Sequence, residues 1–217
     1  MSTPLVYIVD DDPAVRDSVA LLLNSAHICA KAYCSARAFL LDFHGSMEGC
    51  LLLDIRMPEM GGPELQLELL SRGSLLPVIY LSAYGDVPTT VQAIKNGAVD
   101  VLTKPVNPQS LLDNVQEAFK LYETRAAEQK TLADVRRKIA LLTHREYEIL
   151  TLIVNGESSK KVARKLNISF RTVEVHRTHI LQKLDVDSLL ALTAVADACG
   201  IATGRIMAPH SMDVPHK

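Results

Sequence analysis

No stretch of this 217-residue sequence is apolar for the length needed to cross a bilayer, and Met1 to Val9 lacks the basic start and apolar core of a secretory signal. These absences point to the cytoplasm and away from a membrane partner. Cysteine is scarce: Cys29, Cys34, Cys50 and Cys199 form neither a CxxC pair nor a Cys/His ligand spacing, which argues against a zinc cluster or a disulfide framework. Buried free thiols are the expectation. His176 and His179 stand three residues apart without a third ligand at suitable spacing, so a metal reading of that pair finds no support. No internal repeat is visible.

Net charge is nearly absent too, at −2, but the total hides an asymmetry. Residues 1–125 hold 9 Lys+Arg against 15 Asp+Glu, a net of −6, whereas residues 126–217 hold 14 against 10, a net of +4. An acidic half joined to a basic half suggests a cation site in the first and a polyanion partner for the second.

The first half alternates short apolar runs with amphipathic stretches. Leu5–Val9, Ile28–Tyr33, Cys50–Leu53, Val78–Leu81 and Val99–Leu102 read as strands, four of them apolar almost throughout, as in a parallel sheet covered on both faces. Between them, helices are expected over Pro13 to about Ala26, Ala36–Phe43, Gly62–Ser71, Val87–Asn96 and Pro108 to about Tyr122. Asp86 and Asn107 serve as N-caps, Pro108 as a first helical residue and Gly97 as a stop. The order predicts an α/β fold, a (βα)5 doubly wound parallel sheet over residues 1–122.

Residues 123–142 turn charged and lack Pro and Gly, with Leu132, Val135, Ile139 and Leu142 at helical spacing, which predicts a helical linker. An all-α four-helix unit follows over residues 143–200. Thr143 and Glu146 form a capping box, Gly156 stops the first helix, Ser158 or Ser159 opens the second, Ser169 the third and Ser188 the fourth. Residues 201–217 show no period and are expected to be a mobile tail.

Functional groups of open parallel sheets collect beyond the carboxyl ends of the strands. Asp10, Asp11 and Asp12 follow the first strand, Asp54 the third, Ser82 the fourth and Lys104 the fifth. Crowded carboxylates require a cation to offset their repulsion, and oxygen ligands select a hard ion such as Mg2+. An ionised carboxylate needs no base to attack a phosphorylated donor, and the product is an acyl phosphate. One metal, one lysine and one hydroxyl match its three free oxygens. Asp54 stands alone at the end of a central strand and is assigned as acceptor, leaving Asp10 and Asp11 to share the metal.

The segments VDDD (9–12), DIRMPEMGG (54–62), LSAYGD (81–86) and TKP (103–105) resemble the receiver domain of two-component response regulators. The resemblance implies Asp54 as the phosphorylated residue, with Asp11, Asp54 and the Arg56 carbonyl as direct Mg2+ ligands and Asp10 acting through water. It also implies Ser82 as the switch hydroxyl, Lys104 as the phosphoryl partner, and a cis Lys104–Pro105 bond. Asp12 fits better as a helix N-cap. The sequence departs from the receiver pattern at Val101, where an aromatic switch residue is usual. Tyr84, two residues past Ser82, is our expected substitute.

In the second half, Ser169–Leu184 has an apolar stripe of Val173, Ile180 and Leu184 and follows a short helix and a short turn, the arrangement that sets a recognition helix in the major groove. Lys160, Lys161, Arg164, Lys165, Arg171 and Arg177 surround it with positive charge suited to phosphates. LTHREYEIL (142–150) and SSKKVARKLNISFRTVEVHRTHILQKL (158–184) resemble the LuxR-type DNA-binding domain, and the chain over about residues 4–200 resembles the NarL/FixJ class. By that resemblance Glu174, Val175 and Thr178 face base edges of double-stranded DNA, while Lys160, Arg171, Thr172, His176 and Lys183 touch phosphate or seat the helix. Phe170 stands where proline is common. The implied partners are a sensor histidine kinase, duplex DNA and, after phosphorylation, a second copy of the chain; the sequence does not choose between activation by dimerisation and by unmasking of the recognition helix. A phosphohydrolase would need a dedicated acid/base group that this site does not evidently offer, so hydrolysis of its own acyl phosphate is the expected limit.

Overall fold

The computed structural model describes residues 4–83 and 94–201. Asp86, Tyr84, most of the helix expected over Val87–Asn96 and the tail from residue 202 lie outside the described residues. The chain divides into two compact units, Met1–Ala127 and Glu128–Lys217.

The first unit is built on five parallel strands: β1 (Leu5–Val9), β2 (Ala30–Tyr33), β3 (Gly49–Asp54), β4 (Val78–Ser82) and β5 (Asp100–Thr103). Their spatial order is β2-β1-β3-β4-β5. The chain therefore reverses its winding between β1 and β3, where such sheets open a crevice at the strand ends. Alternation in each strand sends Tyr7, Val9, Leu51, Leu53, Val78 and Tyr80 into one core. Val6, Ile8, Cys50, Leu52, Ile79 and Leu81 enter the other. The central strands are buried on both faces, whereas β2, at the edge, leaves Lys31 and Ala32 exposed. Burial of side chains of this size contributes about 1.5–3 kcal/mol each before chain entropy is counted.

Helices α1 (Pro13–Ser25), α2 (Ala36–Asp42) and α3 (Gly62–Ser71) separate the first four strands. Asp12 caps α1 by accepting from the Ala14 amide, and Ser35 caps α2 by accepting from the Ala38 amide. Strand β2 begins two residues later than its apolar run suggests, because His27 (φ 60°) and Ile28, whose amide donates to the Leu23 carbonyl, still close the end of α1. Two exposed thiols, Cys29 and Cys34, flank this edge strand, and Cys199 is half-buried, which corrects the expectation of four buried cysteines. Cys50 alone meets it, and burial pushes its thiol up to about 12.

The fifth-strand helix does not stop near Tyr122. Helix α4 runs from Pro108 to Ala140, 33 residues, because no Pro or Gly interrupts it, so the charged segment is the continuation of this helix. In the second unit, α5 (His144–Val154), α6 (Ser159–Lys165), α7 (Phe170–Leu184) and α8 (Leu189–Ala198) surround a core that includes Ile149, Leu150, Val162, Val173, Ile180 and Leu184. Both bonds of the Thr143–Glu146 capping box are formed. Ser169 and Ser188 cap α7 and α8 through their side chains, while Ser158 holds the N-cap position of α6 without a side-chain bond. No helix among the described residues is long and apolar enough to cross a membrane.

Candidate acidic site and nucleic-acid interface

The ends of β1, β3, β4 and β5 bring five of the chemistry-bearing residues, Asp10, Asp11, Asp54, Ser82 and Lys104, to one edge. Asp10 is fully buried, Asp54 and Ser82 are nearly so, and Asp11 lies exposed at the rim. Carboxylate oxygens of Asp10, Asp11 and Asp54 lie within 4.8 Å of one another. Lys104, just past β5, reaches between the two buried acids. Its ammonium donates to Asp54 Oδ1 at 2.6 Å and stands 2.7 Å from Asp10 Oδ2. That second oxygen is paired by charge but accepts no aligned hydrogen bond. Asp10 is otherwise fixed: Oδ1 accepts from the Asp12 amide at 3.0 Å, and its carbonyl accepts from Arg16 Nη1 at 2.7 Å.

Three carboxylates within 4.8 Å of one another, two of them on one ammonium, leave an excess of negative charge. Burial raises the pKa of Asp54 most strongly; Lys104 opposes the rise, and Asp10 and Asp11 add to it. For Lys104 burial works against the charged form, but Asp10 and Asp54 outweigh it and hold the ammonium above its ordinary value. The donor set is all oxygen, and a buried oxygen of Asp10 still lacks an aligned partner, so these residues fit a small hard divalent cation.

Ser82 pairs in register with Thr103, and Asp54 with Leu81. The Ser82 hydroxyl donates to the Ala83 carbonyl at 3.0 Å rather than to Asp54. Arg56 follows Asp54 by two residues in the exposed loop after β3. The Lys104–Pro105 bond is cis. Val101 packs against the core that holds Tyr80. Sequence reasoning missed two supports of the site. Arg16, which holds the Asp10 carbonyl, looks like any basic residue on a helix face. Gly62 lets α3 approach β3: a Cβ there would meet the Asp54 carbonyl oxygen at 2.4 Å and Tyr80 Cε1 at 2.8 Å. The signal for it was the Gly61–Gly62 pair following the aspartate loop.

In the second unit the turn between α6 and α7 passes through Asn167 in the left-handed region (φ 51°). Lys160, Lys161, Arg164 and Arg171 are exposed and form no ion pair among the described residues, leaving a free cationic surface. Val175, Thr178 and His179 are exposed on α7. Thr172 sits at the helix start, its amide donating to Ser169 Oγ at 3.0 Å. His176 is half-buried, and its Nδ1 has no hydrogen-bond partner among the described residues.

Other charged residues tie α7 to its neighbours. Lys183 Nζ donates to Glu146 Oε2 at 2.6 Å and to the Leu141 carbonyl at 3.3 Å, so its ammonium seats the helix. Glu146, only 4% exposed, also accepts from the Thr143 amide at 2.7 Å. Burial alone would raise its pKa, but Lys183 and Thr143 overcome this and bring it down to about 2. Arg145 Nη2 donates to the Leu166 carbonyl at 2.7 Å, fixing the end of α6.

Residues 6–116 match the response regulator receiver domain family, and residues 140–196 match the bacterial regulatory proteins of the luxR family. The chain belongs to the response regulators. This response regulator is 37% identical over 193 residues to the response regulator protein TodT of Pseudomonas putida, covering 89% of this chain and 85% of TodT. It is 44% identical over 183 residues to the transcriptional regulatory protein TdiR of Thauera aromatica, covering 84% and 81%. The solved structure of the response regulator StyR is similar, with a TM-score of 0.73 and 38% identity over 90% of this chain and 99% of that one. The protein is thus a transcriptional regulator of a two-component system, with a receiver domain and a LuxR-type DNA-binding domain. That class pairs with a histidine kinase and with DNA.

Proposed function

We propose that Asp54 is the phospho-acceptor and that its modification controls DNA binding by α7. The observation that carries this reading is the Lys104 ammonium set between Asp54 and Asp10 beside the exposed carboxylate of Asp11. Asp54 Oδ2 attacks the phosphorus of a kinase phosphohistidine; the new O–P bond forms as the N–P bond breaks, and the leaving imidazole takes a proton. Lys104 stays charged and pairs with the transferred group. Ser82 leaves the Ala83 carbonyl and donates to a phosphoryl oxygen, a rearrangement that pulls on β4. Asp10, Asp11, Asp54 and the Arg56 carbonyl would hold Mg2+, which supplies charge neutralisation at the phosphoryl oxygens. Among the described residues the site offers no dedicated acid or base for small phosphoesters, which favours turnover limited to loss of the protein's own acyl phosphate.

In the second unit, Lys160, Arg171, Thr172 and His176 contact phosphate or support the helix, Lys183 seats it, and Glu174, Val175 and Thr178 face the bases. The working boundaries are 1–122 for the receiver, 123–142 for the linking stretch of α4 and 143–200 for the DNA-binding domain. Phosphorylation shifts the population toward a homodimer that sets two copies of α7 on neighbouring half-sites. The chain acts in the cytoplasm. The test of Asp54 is chemical: incubation with Mg2+ and a small phosphodonor adds one acid-stable, base-labile phosphoryl group to the Asp54 peptide by mass spectrometry. An unmodified Asp54, or a label that persists in Asp54→Asn, overturns the assignment.

A further inference from the structure

Glu174 is an unusual group for a helix meant to approach DNA, because a carboxylate repels the phosphate backbone. Arg171, three residues earlier on α7, is an exposed cation, and α6 carries the exposed Lys160 and Lys161. A negative charge at Glu174 weakens sequence-independent attraction, and toward the bases it suits a hydrogen-bond donor. In the major groove, cytosine presents an N4 amino donor, whereas the adenine N6 donor stands beside the N7 acceptor, which repels a carboxylate.

The structure holds Glu174 in place. Arg177, one turn further along α7, donates from Nη1 to Glu174 Oε1 at 3.2 Å and to Ser159 Oγ at 2.8 Å. Ser159 is buried at the first turn of α6, so the guanidinium is anchored to the scaffold. The Glu174 side chain remains 43% exposed, and its Oε2 makes no hydrogen bond among the described residues. The outcome is an oriented carboxylate with one oxygen free. Arg177, only 31% exposed and already engaged twice, is poorly available to a phosphate.

We propose that Glu174 reads a cytosine amino group in each half-site and that Arg177 is the positioning residue that fixes its carboxylate through Ser159. This rests on the reading of α7 as the recognition helix. Arg177 thereby belongs to sequence choice, unlike the surface lysines, which give affinity.

The test selects duplexes from a randomised pool with the full-length, phosphorylated chain, then titrates binding to the selected duplex with salt. Wild type fixes a C·G pair at one position per half-site, and replacing that pair weakens its binding about tenfold, while Glu174→Ala changes less than about twofold on the same replacement. Glu174→Gln moves the preference at that position from cytosine to adenine, which an amide reads through N6 and N7. Arg177→Gln relaxes the same position and leaves the salt slope unaltered, and Arg177→Lys restores part of the preference. Thermal melts of each variant confirm that the fold is intact. Retention of the cytosine preference in Glu174→Ala overturns the reader. A fall in salt slope for Arg177→Gln, with the preference intact, overturns the positioning role and makes Arg177 a phosphate contact. A wild-type chain that binds and selects no duplex overturns the assignment of α7 itself, a failure separate from either.

Discussion

Glu146 shows how one residue can hold a functional helix in place. Its carboxylate joins the start of α5 to Lys183 near the end of α7, and its pKa is depressed from 4.5 to about 2. Because the folded-state value lies below the free value, the stabilisation is complete above 4.5 and disappears as the pH falls through about 2. At about 1.4 kcal/mol per unit, the Lys183 and Thr143 contacts together are worth at most roughly 3 kcal/mol. Glu146→Gln should therefore lower the stability of the DNA-binding domain by about 2–3 kcal/mol at neutral pH and flatten its acid profile, as read by urea unfolding of the full chain at a series of pH values. An unchanged profile would show that the carboxylate is not the source. Capping chemistry made half of this legible: Thr143 and Glu146 stand three residues apart. The Lys183 contact was not, since 37 residues separate the partners and no local pattern encodes the pairing. Asp10, Asp11, Asp54 and Lys104 were readable because strand ends of a parallel sheet must converge. Arg16 was not, because its target is a backbone carbonyl with no sequence signature.

At the scale of elements, continuous apolar runs marked the buried strands, and the residues that diverged have local causes: the closing turn of α1 delays β2, and a helix without breakers carries α4 on to Ala140. Burial of β2 and of the cysteines beside it was not legible, because edge position follows from topology rather than composition. The contact of α3 with β3 depends on Gly62. Gly62→Ala should displace the helix start, destabilise the receiver by about 1–3 kcal/mol and slow modification of Asp54, measured by urea unfolding and phosphodonor labelling. Unaltered stability would mean that the loop absorbs the methyl group. On the other unit, Lys160→Ala should weaken binding to all duplexes and lower the salt slope by about one, whereas Lys183→Met should reduce stability without lowering the slope. Salt titration of both variants on one duplex decides the matter, and a lower slope for Lys183→Met would place its ammonium on phosphate.

For the whole molecule, the separation of charge noted in the sequence becomes a division of labour, with an acidic receiver and a cationic surface on α6 and α7. Coupling between the two sites requires a state that both bias, and typical coupling energies of about 1–3 kcal/mol correspond to roughly 5–150-fold in affinity. If dimerisation carries that coupling, phosphorylation should double the mass seen by light scattering in wild type and leave Asp54→Asn monomeric; a phosphorylated monomer with tightened DNA binding would reject that route. The central claim is that the covalent state of Asp54 sets DNA affinity. Its most direct measurement is binding of the full-length protein to a selected duplex with and without a small phosphodonor and Mg2+, alongside Asp54→Asn. The account predicts at least about a fivefold gain for wild type and none for the variant; an equal response of the two proteins, or a fully modified wild type with unchanged affinity, would contradict it.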